Sequence, residues 1–267
     1  MKIITLSNKY FAIAVWNKLP AVLQKQISIA WSKIYRWNVS ALFIKAFCHR
    51  YKIEDQQLSL YRPASGQDTY ISFQDFFTRK LSQPLQVKRN SIVAPCQGFV
   101  CENGFVSELG QVNVKGRTYT IRDIFADVGN KINDTYTFIN IFLHNHNYHR
   151  FHAPVSGTIL NIQKISGYLN FLRPWFYAKK NVSSPSFINE RYIMEILDEN
   201  NQSWFLSFVG GMGVGNIKLT EGLNNGSKVN SGDELGYFLL GSTCCLAAPV
   251  KIKNFSYLQK VEVGEFL

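Results

Sequence analysis

The sequence predicts an α+β protein, with amphipathic helices at the amino terminus followed by a compact, mainly β core of barrel or sandwich type. Three observations carry this. Residues 1–53 hold nine Lys or Arg and no Asp or Glu, with aromatic and aliphatic residues at mostly helical spacings between them. After Pro84 the texture changes to short apolar runs separated by Gly, Pro and Asn, the pattern of successive strands. At 267 residues, 46% of them apolar, the chain is long enough for one substantial core.

In the arm, Phe11, Val15, Trp16 and Leu19, then Val22, Leu23, Ile27, Ala30, Trp31, Ile34, Tyr35 and Trp37, predict two or three helices over residues 9–52. Breaks are expected at Pro20 and near Trp37-Asn38. Nine positive charges of the formal net +11 lie in this arm, leaving +2 for everything after it. A basic amphipathic helix with Trp near its polar boundary suits a bilayer interface, where each Lys or Arg beside an anionic surface adds about 1 kcal/mol. The alternative is a helix packed on its own core with a solvated basic face. Nucleic acid ranks below both, because no zinc-ligand spacing or recognition motif accompanies the charge.

The longest apolar run near the start, residues 10–16, is far short of the roughly 20 residues that span a bilayer. The expected organisation is a membrane-associating helical region over 1–60 and a core over 61–267. The expected location is peripheral, on an anionic surface at the cytoplasmic face of the cell membrane. Five cysteines, odd in number and without C-x-x-C, fit a reducing compartment.

Beyond the arm, residues 54–69 read as a polar connector and 73–81 as a short helix. Strands are expected at 92–94, 99–101, 136–143, 158–162, 192–197, 204–209, 234–240 and 244–247. Gly210-Gly211-Met212-Gly213-Val214-Gly215 follows a strand, but its spacing is not G-x-G-x-x-G, so no dinucleotide site is expected. It is either a strand-ending turn or a place where backbone amides approach an anionic headgroup.

Four of the five histidines fall within nine residues, His144 to His152. His144 and His146 on one side of a strand could ligate a metal, but no carboxylate or cysteine stands at matching spacing, so no metal is expected. Acid–base chemistry and the satisfaction of buried backbone groups remain as readings. Near the carboxyl end stands Leu240-Gly241-Ser242-Thr243. Gly-Ser-Thr is common in turns. A glycine that tolerates strained dihedrals could also let the Ser242 hydroxyl attack the Gly241 carbonyl. An N-to-O acyl shift, β-elimination of the ester and hydrolysis of the dehydroalanine would then leave a pyruvoyl group made from Ser242.

Several blocks together resemble the phosphatidylserine decarboxylase family of pyruvoyl enzymes over nearly the whole chain. They are Phe76-Phe77-Thr78-Arg79-Lys80-Leu81, Ala94-Pro95-Cys96-Gln97-Gly98, Val114-Lys115-Gly116-Arg117-Thr118-Tyr119-Thr120, Tyr148-His149-Arg150-Phe151-His152-Ala153-Pro154, Asn189-Glu190-Arg191, Val209-Gly210-Gly211 with Val214-Gly215, and Gly236 to Thr243. The resemblance implies cleavage between Gly241 and Ser242, giving a β chain of 1–241 and a pyruvoyl α chain of 242–267. Ser242 would be nucleophile and cofactor precursor, His152 the base that takes its proton, and His149 the histidine assisting decarboxylation. Gly210, Gly211 and Tyr148 are assigned to substrate binding. The implied substrate is phosphatidylserine in membranes, converted to phosphatidylethanolamine and CO2, and the family's habit implies a homodimer.

One position departs from the family's pattern. Its Pro-x-Asp-Gly turn aligns with Pro95-Cys96-Gln97-Gly98, so Gln97 stands where a triad aspartate would orient the imidazole. In a serine protease the same exchange costs about 10⁴ in rate. Two functions follow, a self-processing decarboxylase, or a non-catalytic relative that keeps the fold and the lipid-binding arm. Replacing Gln97 by Asp is expected to accelerate cleavage, and Glu102 or Glu108 could stand in for the missing acid.

Overall fold

The computed structural model of the protein describes residues 9–88, 91–212 and 217–267. After short helical turns over 11–18 the arm forms α1 (Ala21–Arg36) and α2 (Leu42–Tyr51). Pro20 sits just before the first turn of α1, where its missing N–H costs nothing. Trp37 adopts an extended conformation and ends that helix, as the sequence predicts.

The side that α1 turns to the protein is polar. Gln24, Ser28 and Ser32, spaced at four residues, are 0%, 1% and 3% exposed, while Val22, Leu23, Trp31 and Ile34 lie open. Gln24 gives the reason. Its Nε2 donates to Trp16 O at 2.8 Å and Asn170 Oδ1 at 3.1 Å, and its Oε1 accepts from Leu169 N–H at 2.6 Å. Trp16 Nε1–H donates to Leu169 O at 2.7 Å, and Lys25 pairs with Glu190 at 2.9 Å. Hydrogen bonds thus dock the inner face of α1, while Tyr35, Ile44 and Phe47 pack on Phe73 and Phe76. Trp37, Val39, Leu42 and Phe43, which follow in the chain, are exposed as well. An apolar helix face packed on the core is not what α1 presents.

Residues 54–69 are more ordered than a connector, with a four-residue helix, Asp55–Leu58, and a strand, Tyr61–Arg62, paired with Lys80–Leu81. That pairing shortens the helix expected over 73–81 to α3 (Phe73–Phe77), whose first turn is capped by Ser72 Oγ accepting from Asp75 N–H at 3.1 Å.

The core strands are β1 (Gly98–Phe105), β2 (Thr137–Leu143), β3 (Arg150–His152), β4 (Gly157–Ile165), β5 (Arg191–Asp198), β6 (Ser203–Gly210), β7 (Ile217–Leu219), β8 (Lys228–Val229), β9 (Glu234–Phe238), β10 (Ser242–Ala248) and β11 (Gln259–Val261). Eight of them form an antiparallel sheet in the order β8-β4-β5-β6-β10-β2-β1-β11, and three form a small sheet, β7-β9-β3. Residues 92–94 supply only one bridge, Val93 to Phe266. Alternation along β2 puts Ile139, Ile141 and Leu143 against Phe151, Leu235 and Phe238 of the small sheet, and Phe138 and Phe142 against Ile124 and Phe125 on the opposite face. Every residue of β2 is buried because both faces are covered. The core is therefore a sandwich.

Candidate functional site

Chain crossings between the two sheets make the site. After β2 the chain leaves the large sheet through residues 144–149 and enters the small sheet at β3, and after β9 it returns through 239–241 to β10. The two crossings lie together. Ser242 pairs with Leu143 at one end, and Phe238 N–H donates to His149 O at 2.9 Å at the other. One crossing carries the histidines and the other carries the Gly241-Ser242 bond.

Ser242 is the first residue of β10, fully buried, and its Oγ has no hydrogen-bond partner among the described residues. A buried hydroxyl without a partner is costly and unusual. The Gly241 carbonyl oxygen accepts from Gly211 N–H at 3.2 Å. That donor lies where negative charge would develop if Ser242 attacked. The strain expected at Gly241 is absent, since it is not among the residues with positive φ. Space is needed at Gly211 instead, where a Cβ would stand 2.9 Å from Leu172 Cδ1 and 3.0 Å from Gly241 O. Gly210 pairs with Ser242 in the sheet. Gly213, Val214 and Gly215, from the same glycine stretch, lie outside the described residues.

The two motif histidines are both buried but differently engaged. His149 Nδ1 faces Asn147 O at 2.8 Å, which fixes the proton on Nδ1, and its Nε2 has no partner. Complete burial holds its pKa well below the usual imidazole value, so Nε2 is a bare lone pair. His152 Nδ1 faces Gly232 O at 2.8 Å, while its Nε2 meets the Tyr148 hydroxyl at 3.1 Å. Burial lowers the pKa of His152 as well, against the opposing charges of Glu234 and Asp233. Tyr148 is itself buried, with its hydroxyl committed to His152.

Gln97 does not orient an imidazole. Its Oε1 accepts from Tyr148 N–H at 2.7 Å, and its Nε2 donates to Glu262. Glu108 bonds the Phe105 N–H at 3.3 Å. Glu102 takes the Ser183 hydroxyl, which accepts from Asn140 Nδ2 at 2.8 Å, and Asn140 Oδ1 accepts from Thr243. Neither glutamate reaches a histidine through these bonds. His144 and His146 lie in the crossing rather than on a strand, Nδ1 to Nδ1 at 2.8 Å. Burial and the neighbouring His146 push the His144 pKa down to about 4.

The sequence model of phosphatidylserine decarboxylase matches residues 73–267, covering α3 and all the core strands but neither the arm nor residues 54–72. The chain belongs to the phosphatidylserine decarboxylase family. It is 30% identical over 216 residues to the phosphatidylserine decarboxylase proenzyme of Anoxybacillus flavithermus, 78% of this chain and 76% of that one. It is 28% identical to the Helicobacter pylori (strain Shi470) proenzyme over 95% of this chain and 98% of that one, and 31% identical to the Psychrobacter arcticus proenzyme over 86% and 87%. Phosphatidylserine decarboxylases are generally pyruvoyl-dependent. An unpartnered Ser242 hydroxyl beside a carbonyl held by Gly211 suits the conversion of that serine.

Other blocks shared with the decarboxylase family act on the crossings. From α3, the Phe77 ring lies on His149 with centroids 3.9 Å apart, and Gln74 Nε2 donates to Leu239 O at 3.1 Å. Arg79 donates to His146 O at 2.9 Å and Asn147 O at 3.1 Å, so this segment clamps both crossings. Asn189 Nδ2 donates to Gly210 O at 2.8 Å, and Gly210 N–H donates to Glu190 O at 2.9 Å, which sets the strand end that presents Gly211. Phe77, Gln74 and Asn189 are site-supporting residues that sequence reasoning did not single out. Phe77 and Asn189 stand in blocks that carry the resemblance, whereas Gln74 lies just outside them and had no such signal.

A cavity of ≈ 250 Å³ opens beside the bond, with Gly241, Gly211, Asn145 and Arg173 on the core side and Trp16, Ile27, Trp31 and Tyr35 on the arm side. Among the described residues no helix is long and apolar enough to cross a membrane.

Proposed function

We infer that this chain is a phosphatidylserine decarboxylase that cuts itself between Gly241 and Ser242 and works as a peripheral protein on an anionic membrane surface, at the cytoplasmic face. The observation that carries this reading is the pair of unpartnered buried atoms, Ser242 Oγ and His149 Nε2, on adjoining crossings, with Gly211 N–H already on the Gly241 carbonyl.

In the uncut chain His149 Nε2 takes the Ser242 hydroxyl proton. Oγ bonds to the Gly241 carbonyl carbon, Gly211 N–H holds the developing oxyanion, and the proton passes from Nε2 to the departing Ser242 nitrogen as the C–N bond breaks. Loss of the Ser242 Cα proton then expels Gly241 as a carboxylate, and water replaces the nitrogen, releasing ammonia. A pyruvoyl group at position 242 would supply an electrophilic carbonyl for the substrate amine and a sink for the electrons freed as CO2 departs. His149 Nε2 then holds the proton delivered to the carbon that lost CO2. His152, whose Nε2 is taken by Tyr148, orients that tyrosine. The resemblance had given the first proton transfer to His152; availability of the lone pair favours His149.

Gln97 gives no support to a non-catalytic relative, since its bonds are to Tyr148 and Glu262 rather than to an imidazole. The bare apolar side of the arm supports membrane binding, and the cavity between arm and core connects that surface to Gly241. Release of labelled CO2 from carboxyl-labelled phosphatidylserine in anionic vesicles tests the reading. Turnover by wild-type protein is expected, and none by protein stripped of residues 1–53. Full turnover by the truncated form would contradict the role given to the arm.

A further inference from the structure

Five arginines among the described residues are buried or half-buried, and four have polar partners. Arg79 and Arg191 donate to backbone carbonyls, Arg150 pairs with Glu234, and Arg122 pairs with Asp134. Arg173 is the exception. Among the described residues its guanidinium has ring contacts alone, 6.0 Å from the Trp175 centroid and 5.8 Å from that of Phe176. Burial lowers its pKa, and the charged or ionisable groups acting on it are Tyr51 and Arg50, with no carboxylate. A partly desolvated guanidinium without an anion is unfavourable unless something else supplies one. Arg173 lines the same ≈ 250 Å³ cavity as Gly241 and Gly211. That volume accommodates a polar headgroup and not a diacyl lipid, whose chains would leave along the arm.

We propose that Arg173 binds the phosphodiester of the lipid substrate and so selects a phosphate-bearing headgroup at this cavity, an inference that rests on the decarboxylase reading above. The substrate offers two anions, phosphodiester and carboxylate. Holding the carboxylate would stabilise the ground state more than the transition state, because its charge moves away as CO2 forms. The phosphodiester keeps its charge throughout. Arg173 therefore contributes uniform binding, which appears in KM rather than kcat.

The test is a tryptophan-fluorescence titration of wild-type and Arg173→Gln protein with dihexanoylphosphatidylserine and dihexanoylphosphatidylethanolamine, read through Trp16 and Trp31 in the cavity wall. Both lipids carry the phosphodiester, and the second lacks the carboxylate. Both should bind about tenfold to a hundredfold more weakly to the variant, with Arg173→Lys intermediate. Weakening of the serine lipid alone would assign Arg173 to the carboxylate and overturn the proposal, as would no weakening of either. In turnover KM should rise in the same proportion with kcat within about threefold, and a fall in kcat at constant KM would also overturn it. Binding needs no turnover, so a chain that binds both lipids through Arg173 but never decarboxylates would refute the proposed function alone.

Discussion

Helix α1 turns Gln24, Ser28 and Ser32 to the protein and leaves Trp31 and Ile34 bare, whereas β2 sets Ile139, Ile141 and Leu143 inside and holds its polar Asn140 through hydrogen bonds. One region is built like a water-soluble core and the other is reversed. Packing in the core comes from apolar area removed from water, whereas the inner face of α1 and the turn before it are held by directional bonds to Leu169, Asn170 and Phe171. The reversal leaves apolar surface exposed while fixing one wall of the cavity beside Gly241.

The largest effects that separate the two regions lie in the core. Ser242→Ala should leave a single uncut chain with decarboxylation below about 10⁻⁴ of wild type, yet melt close to wild type, because Ser242 Oγ has no bond to lose. His149→Ala should slow cleavage by about 10²–10⁴-fold, read by gel or mass after timed synthesis, and His152→Ala by less than about tenfold. The opposite order would return the base to His152.

Substitutions in the arm should act on binding and stability separately. Trp31→Glu with Leu42→Glu should weaken vesicle sedimentation by at least about tenfold, since each large apolar side chain contributes about 1.5–3 kcal/mol when buried, with the melting temperature unchanged. Gln24→Leu should do the reverse, lowering the melting temperature by several degrees through orphaned groups at Trp16, Leu169 and Asn170, with vesicle binding retained.

Acid should act on the core. His144, His149 and His152 all have lowered pKa values in the fold, so the unfolded chain binds more protons below its own value of about 6.5. Their stabilising contribution is present above that pH and is lost as pH falls toward the folded values, about 4 for His144. Melting followed between pH 7 and 5 should show this decline, and a flat profile would contradict the neutral, buried histidines. The smallest effect concerns Gln97→Asp. With Oε1 on Tyr148 N–H and Nε2 on Glu262, the exchange should leave cleavage within about threefold of wild type, in place of the acceleration expected from sequence.

Legibility in the sequence followed the range of the forces. The long strands β2, β5 and β6 were readable because buried strands are continuous apolar runs. The three-residue β3 and β7 and the two-residue β8 were not, since so few residues carry no period. The arm's helices and its break at Trp37 were readable from local spacing. Which face of α1 docks depended on Leu169 and Asn170, some 145 residues away. Ser242, His149 and His152 could be singled out by motif. The partners that distinguish the two imidazoles, Asn147 O for one and Gly232 O with Tyr148 for the other, came from the crossings.

Everything proposed for the site depends on the chain cutting its own Gly241-Ser242 bond. Intact mass spectrometry of freshly purified wild-type protein tests it most directly. Two species are expected, residues 1–241 and a 26-residue chain beginning at position 242 with a pyruvoyl group in place of the serine amine. A chain that remains at full length through prolonged incubation would contradict it.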